Sequence, residues 1–327
     1  MKLLKNHYLK MKKLINIVDN FKGKKIGVIG DLMLDQFIFG QAERISPEAP
    51  VPIVLFSEEI YALGGAANTA NNIASLGGEV FLVGALGQDY AGDQLFLKLK
   101  LNGINEKGVI ILKEKNTTQK IRVVAQGQHI VRIDKEQAHL INKATEKKAI
   151  DIIESQIKKW DMVVISDYNK GFVTKDLVAK IIRLAKKYNK KIIADIKPNN
   201  ARYFKDIFLL VPNQKEAFLI SESFDVKTAG KIIQKKLNCN VLIKQGAQGM
   251  TLFEGGEVFS FPTLAKEVFD VSGAGDTVLA VMALAMSSGV NLKDSAIIAN
   301  CAAGISVAKV GTAVVLPEEL KKNLLNE

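Results

Sequence analysis

Short apolar runs recur along this chain, and helical patterns fill the gaps between them. The runs are Lys25-Ile-Gly-Val-Ile-Gly30, Val80–Val83, Met162–Ser166, Lys191–Asp195, Phe208–Val211 and Val241–Lys244. Each has the look of a buried strand. Helix-forming patterns lie between them, at Gly92–Leu101, Thr145–Lys159, Thr174–Tyr188 and Thr228–Leu237. Such alternation predicts an α/β fold, Rossmann-like, with a mostly parallel sheet and helices on both faces. Ligands of these sheets bind beyond the carboxyl ends of the strands. Polar residues gather there: Asp31, Asp167, Asp195 and Asn213.

Two segments break the alternation. Residues 36–60 contain Phe37, Ile38 and Phe39 and three prolines, Pro47, Pro50 and Pro52, and read as extended. Residues 117–133 alternate with period two in β-branched composition. Strand segments flanking one α/β core predict a small β-sheet lid near 36–60 and 115–135. No internal repeat or low-complexity linker divides the chain, so residues 25–320 read as one domain.

Bulk properties exclude several classes. At 327 residues, with 48% apolar and 24% charged side chains, the chain can bury a sizeable core. No apolar run is long enough to span a bilayer, so no membrane role is expected. Cys239 and Cys301 show no metal or redox spacing and fit a reducing cytoplasm, and His7, His129 and His139 form no zinc-ligand pair. The formal net charge is +11, yet the lysines are spread along the chain rather than interleaved with aromatics. That argues against nucleic acid and leaves two readings: general lysine richness, or attraction of phosphorylated substrates. The one basic concentration is Lys2, Lys5, Lys10, Lys12 and Lys13 around Leu3, Leu4, Leu14 and Ile15. It lacks the apolar stretch and cleavage site of a signal peptide, and residues 1–24 read as a basic, amphipathic N-terminal helix.

The chemistry concentrates in Asp270-Val-Ser-Gly-Ala-Gly-Asp276, followed by an apolar run from Thr277 to Met286. Small residues let backbone amides approach a ligand. A helix starting here would aim the amides of Gly273, Ala274 and Gly275 at an anion. A carboxylate beside an anion site, Asp276, suits a general base in phosphoryl transfer to a hydroxyl. Taken alone, the segment reads equally well as a glycine-rich helix start with Asp276 as an N-terminal charge.

Distant residues separate these readings. Asp270–Asp276 resembles the second signature of the ribokinase-like (PfkB) carbohydrate kinases. Gly64-Gly65-Ala66-Ala67-Asn68-Thr69-Ala70, with Gly77 and Gly87, resembles the first. The departure is Val281, where the family usually has Ala or Gly, a matter of helix packing. The resemblance implies a kinase using ATP and Mg²⁺, a lid over the sugar, and a homodimer through that lid. It implies a structural or monovalent-cation role for Asp270, with K⁺ as the candidate ion. Asn213-Gln214-Lys215-Glu216 matches the family's Asn-x-x-Glu, whose Glu places Mg²⁺ through water. Lys244, Gly246 and Gly249 resemble the turn that approaches the nucleotide phosphates, and residues 300–313 would close over the adenine. On the sugar side, Asp35 is implied to bind hydroxyls, with Asp31 as its companion and Gly64, Gly65 and Asn68 beside them.

Acceptor identity follows from Arg44-Ile-Ser-Pro-Glu-Ala-Pro-Val-Pro52. This segment resembles the lid of the D-glycero-β-D-manno-heptose 7-phosphate kinases. So do residues 117–136, with Lys120, Arg122 and Arg132, and Ser166-Asp167-Tyr168-Asn169-Lys170-Gly171. Asp195-Ile-Lys197-Pro198 resembles their Asp-Pro-Lys-Gly with the proline displaced and the glycine lost. A phosphorylated acceptor needs cations far from the transfer site, and Arg44, Arg122, Arg132 and Lys170 are the candidates. The resemblance thus implies transfer from ATP to the anomeric oxygen of heptose 7-phosphate. With no His-x-x-His pair, a stand-alone kinase is expected. The rivals are a kinase of the same family acting on a hexose phosphate, fructose or ribose, and a sugar-binding regulator on the same fold. Intact Asp276 speaks against the regulator.

Overall fold

The computed structural model describes residues 2–325, with side chains from Met11 onward. Strands β1 (Lys25–Gly30), β2 (Leu32–Ile45), β3 (Pro52–Gly65), β4 (Glu79–Gly87), β5 (Asn105–Leu112), β6 (Thr118–Ala125) and β7 (Gln128–Lys135) form the first half. Strands β8 (Met162–Ser166), β9 (Lys191–Asp195), β10 (Leu209–Leu210), β11 (Asn240–Lys244), β12 (Met250–Glu254) and β13 (Glu257–Phe261) follow. The helices are α1 (Lys2–Asp19), α2 (Ala66–Ser75), α3 (Tyr90–Leu101), α4 (Lys143–Gln156) and α5 (Lys175–Lys187). After them come α6 (Gln214–Ser221), α7 (Val226–Leu237), α8 (Ala274–Ser287), α9 (Leu292–Val307) and α10 (Pro317–Leu325).

Nine strands make one sheet, in the order β13-β12-β11-β10-β9-β8-β1-β4-β5. It is parallel from β11 to β5, and β12 and β13 add an antiparallel hairpin at one edge. Alternate residues feed two cores. Val28 and Val164 face a core shared with α1, α2, α8, α9 and α10, whereas Ile29, Val163 and Ile165 face one shared with α4 to α7. Both faces are therefore buried, which is why these strands are apolar throughout. Helix α8 is apolar on every side and has no exposed residue from Asp276 to Met286, so it forms the centre of its layer. Val281 is fully buried there.

The other four strands form a separate sheet, β3-β2-β6-β7. Its members come from the two segments that break the strand–helix rhythm. The long β2–β3 hairpin carries the prolines only at its tip, where ladder hydrogen bonds end. From β1 the chain steps to β4 on one side, and from β8 to β9 on the other. The crevice at such a switch in strand order is the natural ligand site, and Asp31 and Asp167 stand at the two strand ends that bound it.

Candidate active site

Asp276 lies in the first turn of α8, 3% exposed. Its Oδ2 accepts from Asn68 Nδ2 at 2.8 Å, and its Oδ1 accepts from Thr69 Oγ1 at 3.1 Å and Tyr168 Oη at 3.0 Å. Asn68 and Thr69 begin α2, so two helix N-termini converge on one carboxylate. A second layer holds the first: Asn72 Nδ2 donates to the Asn68 carbonyl at 3.0 Å, and Thr277 Oγ1 donates to Asn72 Oδ1 at 3.0 Å. Burial pushes Asp276 up to about 6, against the pull of the Asn68 and Tyr168 hydrogen bonds. Asn68, expected on the sugar, is thus first of all a partner of the carboxylate.

Helix α8 starts without a side-chain cap, leaving its end to a ligand. Gly273 takes a left-handed φ of 80° as N-cap, and a Cβ there would sit 2.6 Å from Asn68 Nδ2. The Ala274 amide donates to the Val271 carbonyl at 3.3 Å.

Beside this helix start opens a cleft of about 600 Å³, the size of a small-molecule site. Asn213, Glu216, Lys244, Gly246 and Gly249 line it, with Ala274 and Gly275. Gln214 and Lys215, also expected there, do not line it. Successive residues of α6 turn about 100° around the helix, and the turn that brings Glu216 inward leaves Lys215 in solvent. Glu216 completes a capping box with Asn213 and takes Lys197 Nζ at 2.6 Å. Lys244 Nζ lies 2.5 Å from Asp195 Oδ2. Burial pushes Asp195 up while Lys244 pulls it down, and the net direction is upward. Burial also works against charge on Lys197, but Glu216 and Asp195 outweigh it and its value is raised. Three carboxylates, Asp167, Asp195 and Glu216, and two ammonium groups therefore face the cleft. Their all-oxygen acidic set fits a hard divalent cation, which needs few protein ligands. Val268, Val271, Val278 and Val307 give an apolar wall fit for a planar base, and Asn300, Ala303 and Gly304 of α9 contribute to it.

Under the lid the placements diverge more from expectation. Arg122 Nη1 lies 2.6 Å from Asp35 Oδ1, both side chains at most 10% exposed, and the guanidinium lies 5.1 Å from the Phe37 ring centroid. Asp35 Oδ2 would be 2.6 Å from a Cβ at position 64, so Gly64 is what lets it lie there. Gly65, its neighbour, is the N-cap of α2. Asp31 is tied first to backbone. Its carboxylate accepts the amides of Tyr168, Lys170 and Phe172 at 2.9, 3.0 and 3.0 Å, which fills Oδ2 and leaves one lone-pair site on Oδ1. Burial nevertheless pushes it up.

Three expected phosphate anchors are engaged or remote. Lys170 pairs with Glu136 at 2.5 Å, and Arg132 is 58% exposed and pairs with Asp134 at 2.8 Å. Arg44 is exposed near the tip of the β2–β3 hairpin. Asp270 holds the amides of Ser272 and Gly311 at 2.8 and 3.0 Å, tying the loop before α8 to the one after α9. Among the described residues no cluster of three or more metal-binding side chains occurs.

Sequence reasoning put Asp195 at the ligand-binding end of the sheet without giving it a role, and did not assign Thr69, Tyr168 or Lys197 to the site. Asp195 and Lys197 carried a usable signal, as the polar end of an apolar run. Thr69 and Tyr168 lay inside recognised motifs, but nothing in their spacing says that both reach Asp276.

Comparison with known proteins agrees with this geometry. The family model described as "pfkB family carbohydrate kinase" matches residues 24–319. The "Bifunctional protein HldE" of Helicobacter pylori strain J99 is 41% identical over 303 residues, 91% of this chain and 65% of that protein. The chain thus spans just under two thirds of that relative's length. Among solved structures, a putative ribokinase from Agrobacterium tumefaciens superposes with a TM-score of 0.78 at 20% identity, covering 93% of this chain and 98% of the other. Arabidopsis thaliana ribokinase complexed with ribose and ATP gives 0.72 at 20% identity, covering 93% and 99%. Signature loops, buried carboxylate and matched span lead to one conclusion: the chain belongs to the pfkB family of carbohydrate kinases and is an ATP-dependent sugar kinase.

Proposed function

We propose that the enzyme phosphorylates the anomeric hydroxyl of D-glycero-D-manno-heptose 7-phosphate, giving heptose 1,7-bisphosphate for ADP-heptose synthesis. Asp276 takes the hydroxyl proton, the freed oxygen attacks the terminal phosphorus, and the bond to the ADP oxygen breaks. The first amides of α8 and the Lys244 ammonium neutralise the charge that gathers on the transferring group. Asp195 and Glu216 would hold Mg²⁺, which would supply further neutralisation on the phosphates. ATP occupies the cleft, with its base against the apolar wall.

A single observation carries the phosphorylated acceptor. Lys120 lies on the same face of the lid as Asp35 and Arg122, and among the described residues it has no hydrogen bond or ion pair. Its nearest aromatic partner is the Tyr168 ring, at 5.5 Å. Burial pushes its ammonium down, only partly opposed by Asp35. Asp35 and Asp134 lie across the sheet from it, but neither bonds to it, and an inward ammonium with no bonded anion is costly unless a ligand supplies one. Arg122, Lys170 and Arg132 already have carboxylates, so Lys120 answers the substrate phosphate. The heptose itself rests on the likeness of residues 44–52 and 117–136 to heptose 7-phosphate kinases. The name "bifunctional" carried by the relatives agrees with a domain supplying one of two activities.

The test is a panel of acceptors with ATP: heptose 7-phosphate, the unphosphorylated heptose, fructose 6-phosphate and ribose. Heptose 7-phosphate should give the highest kcat/KM, with the new phosphate on carbon 1. Lys120→Met should raise its KM roughly tenfold to a hundredfold, the worth of a charge-assisted contact, and leave the unphosphorylated sugar unchanged. A better rate with ribose or fructose 6-phosphate would overturn the assignment. The reading extends to a cytoplasmic homodimer through the lid, supported by the exposed Val131 and Ile133 on the face of that sheet turned away from Asp35 and Arg122. It also includes a K⁺ ion near the Asp270 loop, tested by replacing K⁺ with choline.

A further inference from the structure

The two oxygens of Asp276 are not equivalent. Oδ1 accepts two hydrogen bonds, from Tyr168 Oη and Thr69 Oγ1, whereas Oδ2 accepts one, from Asn68. A carboxylate oxygen offers two lone-pair sites, so Oδ1 is full and Oδ2 has one site left. The Tyr168 hydroxyl makes no other hydrogen bond among the described residues, so its placement serves this carboxylate.

That placement is built with unusual care. Asp31 gathers the amides of residues 168, 170 and 172. Between them, Asn169 and Gly171 adopt left-handed φ values of 56° and 95°, which cost energy at a non-glycine position. Asp167 closes the same turn on the Asn169 amide at 2.7 Å and on Asn200 at 2.8 Å. A turn with two buried carboxylates and a strained asparagine delivers one phenol to one oxygen.

We propose that Tyr168 is a positioning residue for phosphoryl transfer: with Thr69 it saturates Oδ1 of Asp276, so that Oδ2 is the oxygen that takes the acceptor's proton. The inference rests on Asp276 being the base. The phenol keeps its own proton throughout, because burial and the neighbouring Asp276 hold it well above its usual value. The charged groups around the pair are Asp195 and Lys244 from the cleft, Asp35 and Lys120 from the lid, and Lys197 near the ring. None of them hydrogen-bonds to Asp276, so none can replace the phenol.

Tyr168→Phe keeps the ring and removes the donor. With the best acceptor of the panel, kcat should fall roughly tenfold to a hundredfold, as expected for a bond to a charged group, while KM for ATP stays unchanged. The acidic limb of kcat/KM should move to higher pH, since losing a donor to the ionised form favours the protonated one. Thr69→Val, which strips the other donor from the same oxygen, should move that limb the same way. Should Tyr168→Phe fail to fold, as judged by thermal melting, the Thr69→Val limb decides. An unmoved limb in a folded variant overturns the inference, whether kcat is intact or falls in step with a rising KM for ATP. Full activity in Asp276→Asn would instead remove the base itself, a failure distinct from that of Tyr168.

Discussion

The cleft beside α8 and the ground under the lid both pair carboxylates with cations, but they differ in what the backbone adds. In the cleft, backbone does much of the work: an uncapped helix start, tight glycine turns and a capping box present amides and carboxylates from short contiguous stretches. Under the lid, side chains from separate segments neutralise one another, Arg122 with Asp35 across β6 and β2, and Lys170 with Glu136 from two loops. The first arrangement binds what any kinase of the family needs. Among the described residues facing Asp35 and Arg122, the second leaves Lys120 without a hydrogen bond or ion pair, and the proposed acceptor phosphate rests on that cation.

The largest effect should come where the halves meet. Asp276→Asn is expected to lower kcat by ~10²–10⁴-fold while ATP binding, followed calorimetrically, persists. Wild-type kcat/KM should fall as pH drops below about 6, where Asp276 takes up its proton. The stability sign runs the other way. A carboxyl raised from 3.8 to about 6 holds its proton in the folded state after the unfolded chain has lost it, so ionisation costs stability as pH rises through 6. The Asn variant should therefore gain on the wild type in melting temperature from pH 4 to pH 7. Parallel melting curves would show that Asp276 is solvated rather than buried.

Arg122→Ala should break the lid half selectively. It leaves Asp35 buried without its cation, which costs about 3 kcal/mol or more, visible in urea unfolding. Sugar KM should rise with it, and KM for ATP should not. If stability were unchanged, the pair would be open to water and the contrast between the two regions would weaken.

The same contrast explains what the sequence disclosed. Strand–helix alternation gave the large sheet, because burial on both faces forces a continuous apolar run, and the break in rhythm gave the lid. The Phe208–Val211 run holds the two-residue β10, whereas β5 and the β12–β13 hairpin were not among the expected strands, the hairpin lying past the last of them. In the site, Asp276 and the glycine loop were legible because their geometry is local. The partners of Arg132, Lys170 and Asp31 were not legible, because a side chain at a strand end or edge looks alike whether it meets a ligand, a carboxylate or backbone amides. Tyr168 reaches Asp276 from a turn that Asp31 gathers, a contact no local pattern discloses.

A smaller effect belongs to the cleft. Glu216→Gln keeps an acceptor for the Asn213 amide but loses the charge opposite Lys197. Stability should drop by about 1 kcal/mol, the scale of a helix cap. The Mg²⁺ concentration for half-maximal rate should rise, with the sugar KM unaltered. A change confined to the sugar KM would move Glu216 to the wrong side of the division.

The smallest effect should be at Arg132, which sequence alone makes a candidate phosphate anchor. Its guanidinium is already matched by Asp134 two residues along β7, at 2.8 and 3.0 Å, and is largely in solvent. Exposed pairs of this kind contribute ~0–1 kcal/mol, and the side chain would have to leave Asp134 before it could grip a ligand. Arg132→Ala should thus change KM for heptose 7-phosphate less than Lys120→Met does, and should barely move the melting temperature. Asp134→Asn sharpens the test. It frees Arg132 without removing it, and relieves Lys120 of a nearby negative charge, so KM for the phosphorylated sugar should fall slightly in this variant and not in the double variant with Lys120→Met. A loss at Arg132 as large as that at Lys120 would mean that the lid closes further onto the substrate, carrying β7 inward, and that selectivity is shared along its whole site-facing edge.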